Sequence, residues 1–178
     1  AGVAFAVEEK LAIACALARA LPHLRVVGVE CSPEALRVAE ENVRTLGLHD
    51  RVSLRAGDLL EPLGDLRGAV DLVIANPPYI PSGEISNLPS EVRDYEPHAA
   101  LDGGPDGMVL HRRIIAQAPG FLKPGGWLLM EMGESQADPL TEAIERSGLE
   151  EIQVRRDFRG IERMIGGRTK NHGDQTGN

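Results

Sequence analysis

Short runs of β-branched and other apolar residues alternate with runs of helical period along almost the whole chain, the pattern of an α/β domain with a mostly parallel sheet. Residues 3–7 read as a first short strand, 9–21 as an Ala-rich helix and 25–30 as a second strand. Ser32 predicts a helix N-cap and Pro33 a first helical position, with the helix running to Leu46 and ended by Gly47. Strands at 52–56 and 70–75 follow, then a helix over 107–122, a strand over 127–132 and a helix over 138–146. The last two apolar runs, 151–156 and 163–165, lie too close for a crossover helix and are expected to pair antiparallel. Residues 1–168 thus read as one domain, and 169–178, polar and glycine-containing, as a frayed tail.

One connection breaks this rhythm. Between the strand ending at Ala75 and the helix expected from Gly107 lie about thirty residues, where α/β loops usually take about two to six. Loops of that length in a compact domain usually carry function. Ligands of open α/β sheets bind beyond the carboxyl ends of the strands. The residues at those ends are Glu30, Gly57-Asp58, Asn76-Pro77-Pro78-Tyr79, and Glu131 with Gly133.

The length of 178 residues suits one domain with one sizeable core, and 42% apolar with 26% charged residues excludes a disordered or fibrous chain. A net charge of −8 counts against a protein that tracks nucleic-acid backbone, which needs clustered Lys and Arg. Two cysteines, Cys15 and Cys31, offer neither metal-ligand spacing nor a disulfide framework, so core packing in a reducing compartment is expected. No apolar run reaches a membrane-spanning length. The five histidines, at 23, 49, 98, 111 and 172, have no ligand spacing, read as surface or loop residues, and imply no metal. The pairs Arg112-Arg113 and Arg155-Arg156 read as solvated faces.

Asn76-Pro77-Pro78-Tyr79 is the most informative stretch. Two consecutive prolines remove two backbone N–H groups and hold the chain extended, leaving a loop rich in carbonyl acceptors. The Asn76 side-chain oxygen and the Pro77 carbonyl together can bind both hydrogens of an –NH₂ group and orient its weakly nucleophilic nitrogen. Tyr79 can cover that planar group; the plain alternative is a proline-rich turn. Glu30 ends a Val-rich strand about twenty residues after the first strand-to-helix turn, where an acidic residue binds ribose hydroxyls in nucleotide-binding domains. Its alternative role is a carboxylate beside the next helix N-terminus. Asp58 reads either as an acceptor for an exocyclic amine or as a turn residue.

From Leu11 to Arg168 the sequence resembles the HemK/PrmC family of S-adenosylmethionine-dependent protein-glutamine N5-methyltransferases. Asn76-Pro77-Pro78-Tyr79 alone is similar to many amino-methyltransferases. Ile80-Pro81, Glu91-Val92-Arg93-Asp94-Tyr95-Glu96-Pro97 and the run from Ala100 to Gly107 resemble this branch in particular. The resemblance implies a Rossmann-like class I methyltransferase fold, with a seven-stranded, mostly parallel sheet, a C-terminal antiparallel pair and helices on both faces. Strand 52–56 should lie at one edge and the final pair near the other. It further implies methyl transfer to the side-chain amide nitrogen of the glutamine in the Gly-Gly-Gln motif of peptide chain release factors. Asn76, Pro77, Pro78 and Tyr79 would be the catalytic group. Within it Asn76 anchors the amide and borders the cofactor, Pro77 supplies a carbonyl and Tyr79 packs on the glutamine. Glu30 would hold the ribose diol of S-adenosylmethionine, with Asp58 and Leu59 around the adenine. The expected setting is the cytoplasm, or a mitochondrion if a targeting segment precedes Ala1; no membrane contact and no sequence-specific nucleic-acid binding is expected.

The family's glycine-rich cofactor loop after the first strand has no counterpart in Val3-Ala4-Phe5-Ala6-Val7-Glu8-Glu9-Lys10, where side chains and two carboxylates would crowd a cofactor. The simplest expectation is that a segment between about Val7 and Lys10 is missing, along with the family's N-terminal substrate-docking domain. Two other readings stand beside the enzyme: a cofactor-deficient peptide-binding homologue, and an N6-adenine methyltransferase of nucleic acid, which the net charge of −8 and the Glu91 to Gly107 run both disfavour.

Overall fold

The computed structural model describes residues 2–7 and 12–171. Seven strands, β1 (Val3–Val7), β2 (Arg25–Glu30), β3 (Val52–Ala56), β4 (Val70–Ala75), β5 (Leu122–Glu131), β6 (Glu150–Arg156) and β7 (Glu162–Arg168), form one sheet in the order β3-β2-β1-β4-β5-β7-β6. The first five are parallel, and β7 runs antiparallel to both β5 and β6. The helices are α1 (Ala12–Ala20), α2 (Pro33–Thr45), the short α3 (Ser90–Arg93) and α4 (His98–Leu101), α5 (Val109–Gln117) and α6 (Ala137–Arg146). The predicted edges are where β3 and β6 lie.

Strand alternation divides the core in two. Val27, Val73, Leu128 and Met130 point to one face, where they meet Ile114 of α5, Leu140 and Ile144 of α6, and the buried run Leu59, Leu60 and Leu63. Ala4, Val26 and Val52 point to the other face, against Ala14 and Ala18 of α1 and Ala39 and Val43 of α2. Small residues on α1 let that helix lie close to the sheet. Ser32 caps α2 as predicted, its hydroxyl accepting the Ala35 N–H at 3.3 Å, and Gly47 closes it at φ +65°.

Three departures from expectation bear on the fold. Helix α5 stops at Gln117 rather than Leu122, because Pro119 has no N–H to continue the ladder, and a 3-10 turn over Ala118–Gly120 follows. Strand β5 starts at Leu122 rather than Trp127: Val70 pairs with Leu122 and Leu72 with Trp127, so Lys123-Pro124-Gly125-Gly126 forms a bulge within the strand. Thr169, expected to open the tail, staples that bulge. Its hydroxyl donates to the Lys123 carbonyl at 2.5 Å and accepts the Gly126 N–H at 3.0 Å. The rest of the expected tail, residues 172–178, lies outside the described residues, as does the loop departure at 8–10.

Burial also differs from expectation. Cys15 is buried as expected, whereas Cys31 is exposed at the mouth of the β2–α2 turn. His111 is fully buried, not superficial. It sits on α5, one turn from Ile114 and on the same inward face, and its Nε2 lies 2.8 Å from the Glu131 carbonyl oxygen. A carbonyl only accepts, so Nε2 carries the proton and the ring ties α5 to the end of β5. Its Nδ1 is buried without a hydrogen-bond partner. The basic pair Arg112-Arg113 is ion-paired, with Asp106 and with Asp58, each at 2.5 Å.

Two predictions follow from the packing. Leu140→Ala should cost about 3 kcal/mol in urea unfolding, because the site is closed on all sides, whereas Val38→Ala on the exposed face of α2 should change stability by less than about 0.5 kcal/mol. Burial holds the His111 pKa below the usual histidine value, so the unfolded chain takes up its proton first. Stability from neutral His111 should be intact above about pH 6.5 and erode as pH falls from there toward the depressed folded-state value. Comparing urea midpoints at pH 7.5 and 5.5 checks this: His111→Gln keeps a donor for Glu131 without titrating and should lose less than the wild type.

Candidate functional site

Parallel register brings the four expected strand ends to one rim of the sheet. Glu30 pairs with Ala56, Val7 lies between Val29 and Ala75, and Ala75 pairs with Met130. Glu30, Asp58, the Asn76 to Tyr79 loop and Glu131 with Gly133 therefore share one rim, as the strand-end rule predicts.

At the β2 end Glu30 is 3% exposed, and its Oε1 accepts the Ser32 N–H at 2.8 Å. It serves the turn into α2 and at the same time lines a cavity between α1 and α2 that also touches Ala12, Cys15, Ala35 and Asn42. At the β3 end Asp58 is half-exposed and accepts from Arg113 Nη2 at 2.5 Å. Leu59 buries its side chain completely in the core and adopts φ +50°. A left-handed leucine costs about 1 kcal/mol, and this one presents only its backbone to the rim.

At the β4 end Pro77 and Pro78 are buried, with Asn76 and Tyr79 half-buried on either side. Asn76, Pro77, Pro78 and Tyr79 line a cavity of about 210 Å³ whose far wall is Val92, Glu96 and Leu101, from the long connection. The connection is thus a folded cover and brace. Ile80 N–H donates to the Leu101 carbonyl at 3.1 Å, Gly103 N–H to the Ile80 carbonyl at 2.9 Å, and Ser82 N–H to the Gly104 carbonyl at 2.9 Å. Asp102 Oδ1 accepts the Ser82 hydroxyl at 2.6 Å and the Gly104 N–H at 2.8 Å, and these bonds hold its carboxyl below the usual carboxylate range. Gly107, at φ +73°, approaches the Tyr79 carbonyl so closely that any Cβ would collide with it.

Tyr79 donates its hydroxyl to Glu131 Oε1 at 3.4 Å, and burial, followed by the Glu131 charge, pushes the phenol above its usual range. Its ring lies against Gly133, where a Cβ would stand 3.2 Å from Cδ2. Two residues at this site escaped sequence reasoning. His111 anchors the Glu131 carbonyl, as described above. Gln136, 7% exposed at the start of α6, accepts the Gly133 N–H at 2.8 Å and donates Nε2 to the Tyr79 carbonyl at 2.9 Å and the Gly107 carbonyl at 3.3 Å. A glutamine at a helix N-cap, where Ser, Thr, Asp or Asn normally stands, was the available signal.

A family model described as a methyltransferase domain matches residues 11–158. The chain is similar to the release factor glutamine methyltransferase of Geobacter sulfurreducens, 49% identical over 156 residues, which is 88% of this chain and 54% of that protein. It is also 42% identical over 159 residues to the protein of the same name from Synechocystis sp., covering 89% of this chain and 53% of that one. The chain thus spans about half the length of these curated relatives. Its fold matches the hMettl16 catalytic domain, solved with a MAT2A 3'UTR hairpin, with a TM-score of 0.73 and 16% identity over 96% of this chain and 65% of that one. A methyltransferase from Pyrococcus furiosus gives 0.67 and 15% over 94% and 75%. With the strand order and the rim geometry, the match over residues 11–158 means that the chain belongs to the methyltransferase-domain family.

Proposed function

We propose that this chain is the catalytic portion of an enzyme that transfers the sulfonium methyl of S-adenosylmethionine to the side-chain amide nitrogen of the glutamine in the Gly-Gly-Gln motif of peptide chain release factors, in the cytoplasm. The observation that carries the reading is the cavity of about 210 Å³ lined by Asn76, Pro77, Pro78 and Tyr79 at the end of β4, closed by the very run of residues that resembles this branch. The names of the bacterial relatives support the substrate. The buried Glu30 carboxylate suits a ribose diol: Oε1 is steadied by Ser32, and Oε2 can face a second hydroxyl. Asp58 and the backbone of Leu59 suit the adenine, with Arg113 holding the Asp58 carboxylate in place. When bound, S-adenosylmethionine supplies an electrophilic methyl carbon on a positively charged sulfur.

In this reading the protein's own residues work by position. Asn76 Oδ1 and the Pro77 carbonyl accept the two amide hydrogens, which raises electron density on nitrogen and turns its lone pair outward. The Tyr79 ring confines the amide plane. A general base is unnecessary at this stage, because the nitrogen, cationic once it carries the methyl group, is a strong acid and gives its surplus proton to water. The two remaining readings have less support: the similar bacterial proteins are named as methyltransferases rather than as binding proteins, and among the described residues nothing basic lines the cavity for a nucleic-acid strand.

Asn76→Ala should lower kcat about 10²- to 10³-fold on a Gly-Gly-Gln release factor while shifting the Kd for S-adenosylhomocysteine by less than about fivefold. Glu30→Ala should do the reverse, weakening S-adenosylhomocysteine by about 10- to 100-fold in calorimetric titration. Transfer of radiolabelled methyl groups measures the first. A chain that binds S-adenosylhomocysteine yet never labels the release factor would overturn the substrate assignment.

A further inference from the structure

The geometry points to Gln136 as a positioning residue for methyl transfer: its amide sets the carbonyl direction, and so the aim, of the Asn76 to Tyr79 loop. This rests on the function proposed above. The loop has an imbalance that something must correct. Pro77 and Pro78 bring no N–H, so the segment has few donors with which to hold itself, and its carbonyls must find donors elsewhere. At Tyr79 that donor is Gln136 Nε2, at 2.9 Å. The same nitrogen reaches the Gly107 carbonyl at 3.3 Å, and Oε1 accepts the Gly133 N–H at 2.8 Å. One buried amide therefore links three segments: the β4 loop, the glycine-rich end of the long connection, and the β5–α6 turn.

Two observations set Gln136 apart from a residue that merely fills space. It occupies the N-cap position of α6 but makes no side-chain cap, so its amide is committed to the site rather than to the helix. Two glycines meet it at van der Waals limits. A Cβ on Gly107 would stand 2.7 Å from Nε2, and a Cβ on Gly133 would stand 3.1 Å from Oε1. The backbone is shaped around this amide on both sides. A misplacement of about 1 Å in such a positioning contact costs about 10²-fold in rate without a matching loss of binding.

Three variants test the assignment. Gln136→Met removes all three bonds at nearly constant volume and should lower kcat about 10²-fold, with the Kd for S-adenosylhomocysteine within about threefold. Gln136→Glu turns an oxygen toward the Tyr79 and Gly107 carbonyls and should be equally impaired at pH 8. As pH falls, its carboxyl protonates, donates to Tyr79 O and still accepts from Gly133, so its rate relative to wild type should climb between pH 8 and 6. The titratable groups that face this cluster, Glu131 on the Tyr79 hydroxyl and His111 on the Glu131 carbonyl, are common to both proteins and enter the ratio equally. If Gln136→Met does not fold, Gln136→Asn keeps the amide but draws it back by one methylene from the Tyr79 and Gly107 carbonyls and should lower kcat several-fold.

A second readout needs no activity. The chain has two tyrosines, and Tyr95 is 85% exposed, which makes it an internal reference for Tyr79 in ¹³C-tyrosine spectra. In Gln136→Met, the Tyr79 titration, raised in the wild type by burial and then by the Glu131 charge, should move down. Wild type that labels no release factor would sink the proposed function while leaving this test of Gln136 standing. A flat Gln136→Glu ratio with pH, a kcat of Gln136→Met within twofold of wild type, or an unmoved Tyr79 titration would overturn the positioning role.

Discussion

The rest of the site depends on a shortage of donors at the end of β4. Asn76-Pro77-Pro78-Tyr79 lines a small cavity and has two fewer N–H groups than an ordinary tetrapeptide. Such a loop suits a substrate that arrives with two hydrogens on one nitrogen, since every acceptor left unpaired by the protein is available to it. It cannot hold itself in shape. Its stiffness comes from the proline rings and from donors borrowed from chain far away in sequence: Gln136 on Tyr79 O, and the strand-like exchange of Ile80 with Leu101 and Gly103.

That borrowing explains the length of the connection after β4. A loop of two to six residues would reach α5 directly, but would leave Ile80 and Ser82 with no partner strand. The longer path returns as Leu101-Asp102-Gly103-Gly104, pairs beside Ile80 and Ser82, and then passes Gly107 under the Tyr79 carbonyl. The glycines are needed by contact rather than by flexibility. A Cβ on Gly103 would lie 2.5 Å from the Gly107 carbonyl oxygen, so the brace closes only with hydrogen at that position.

The sheet was legible in the sequence because its strands are short, apolar and bounded by Pro, Gly and polar residues; β2, β3 and β4 begin and end where the pattern places them. Strand ends share one rim, so the placing of Glu30, Asp58 and Asn76 along it was recoverable from the sequence. Tertiary pairing was not recoverable. Gln136 meets Tyr79 across 57 positions and Gly107 across 29, and nothing in local periodicity encodes such a meeting. His111 read as a surface residue because a lone polar side chain on a helix usually is one; only the nearby Glu131 carbonyl makes its burial tolerable. Pro124-Gly125-Gly126 reads as a turn from composition, and becomes a bulge only because Thr169, more than forty residues on, supplies the missing bonds.

The electrostatic character of the rim follows from the same arrangement. Two titratable groups at the loop are held neutral: the Tyr79 phenol by burial and by the Glu131 carboxylate, and the His111 ring by burial, with its proton turned to a carbonyl. Neither is free to take a proton from a substrate at neutral pH, and the rest of the loop offers only neutral amide groups and backbone carbonyls. A cavity of this kind acts through fixed dipoles, which lose nothing to solvent reorganisation during the reaction. Its performance then depends on how accurately those dipoles are aimed. This is why the buried amide of Gln136, which touches no reacting atom, has the leverage on rate that a catalytic base would have in a site built on proton transfer.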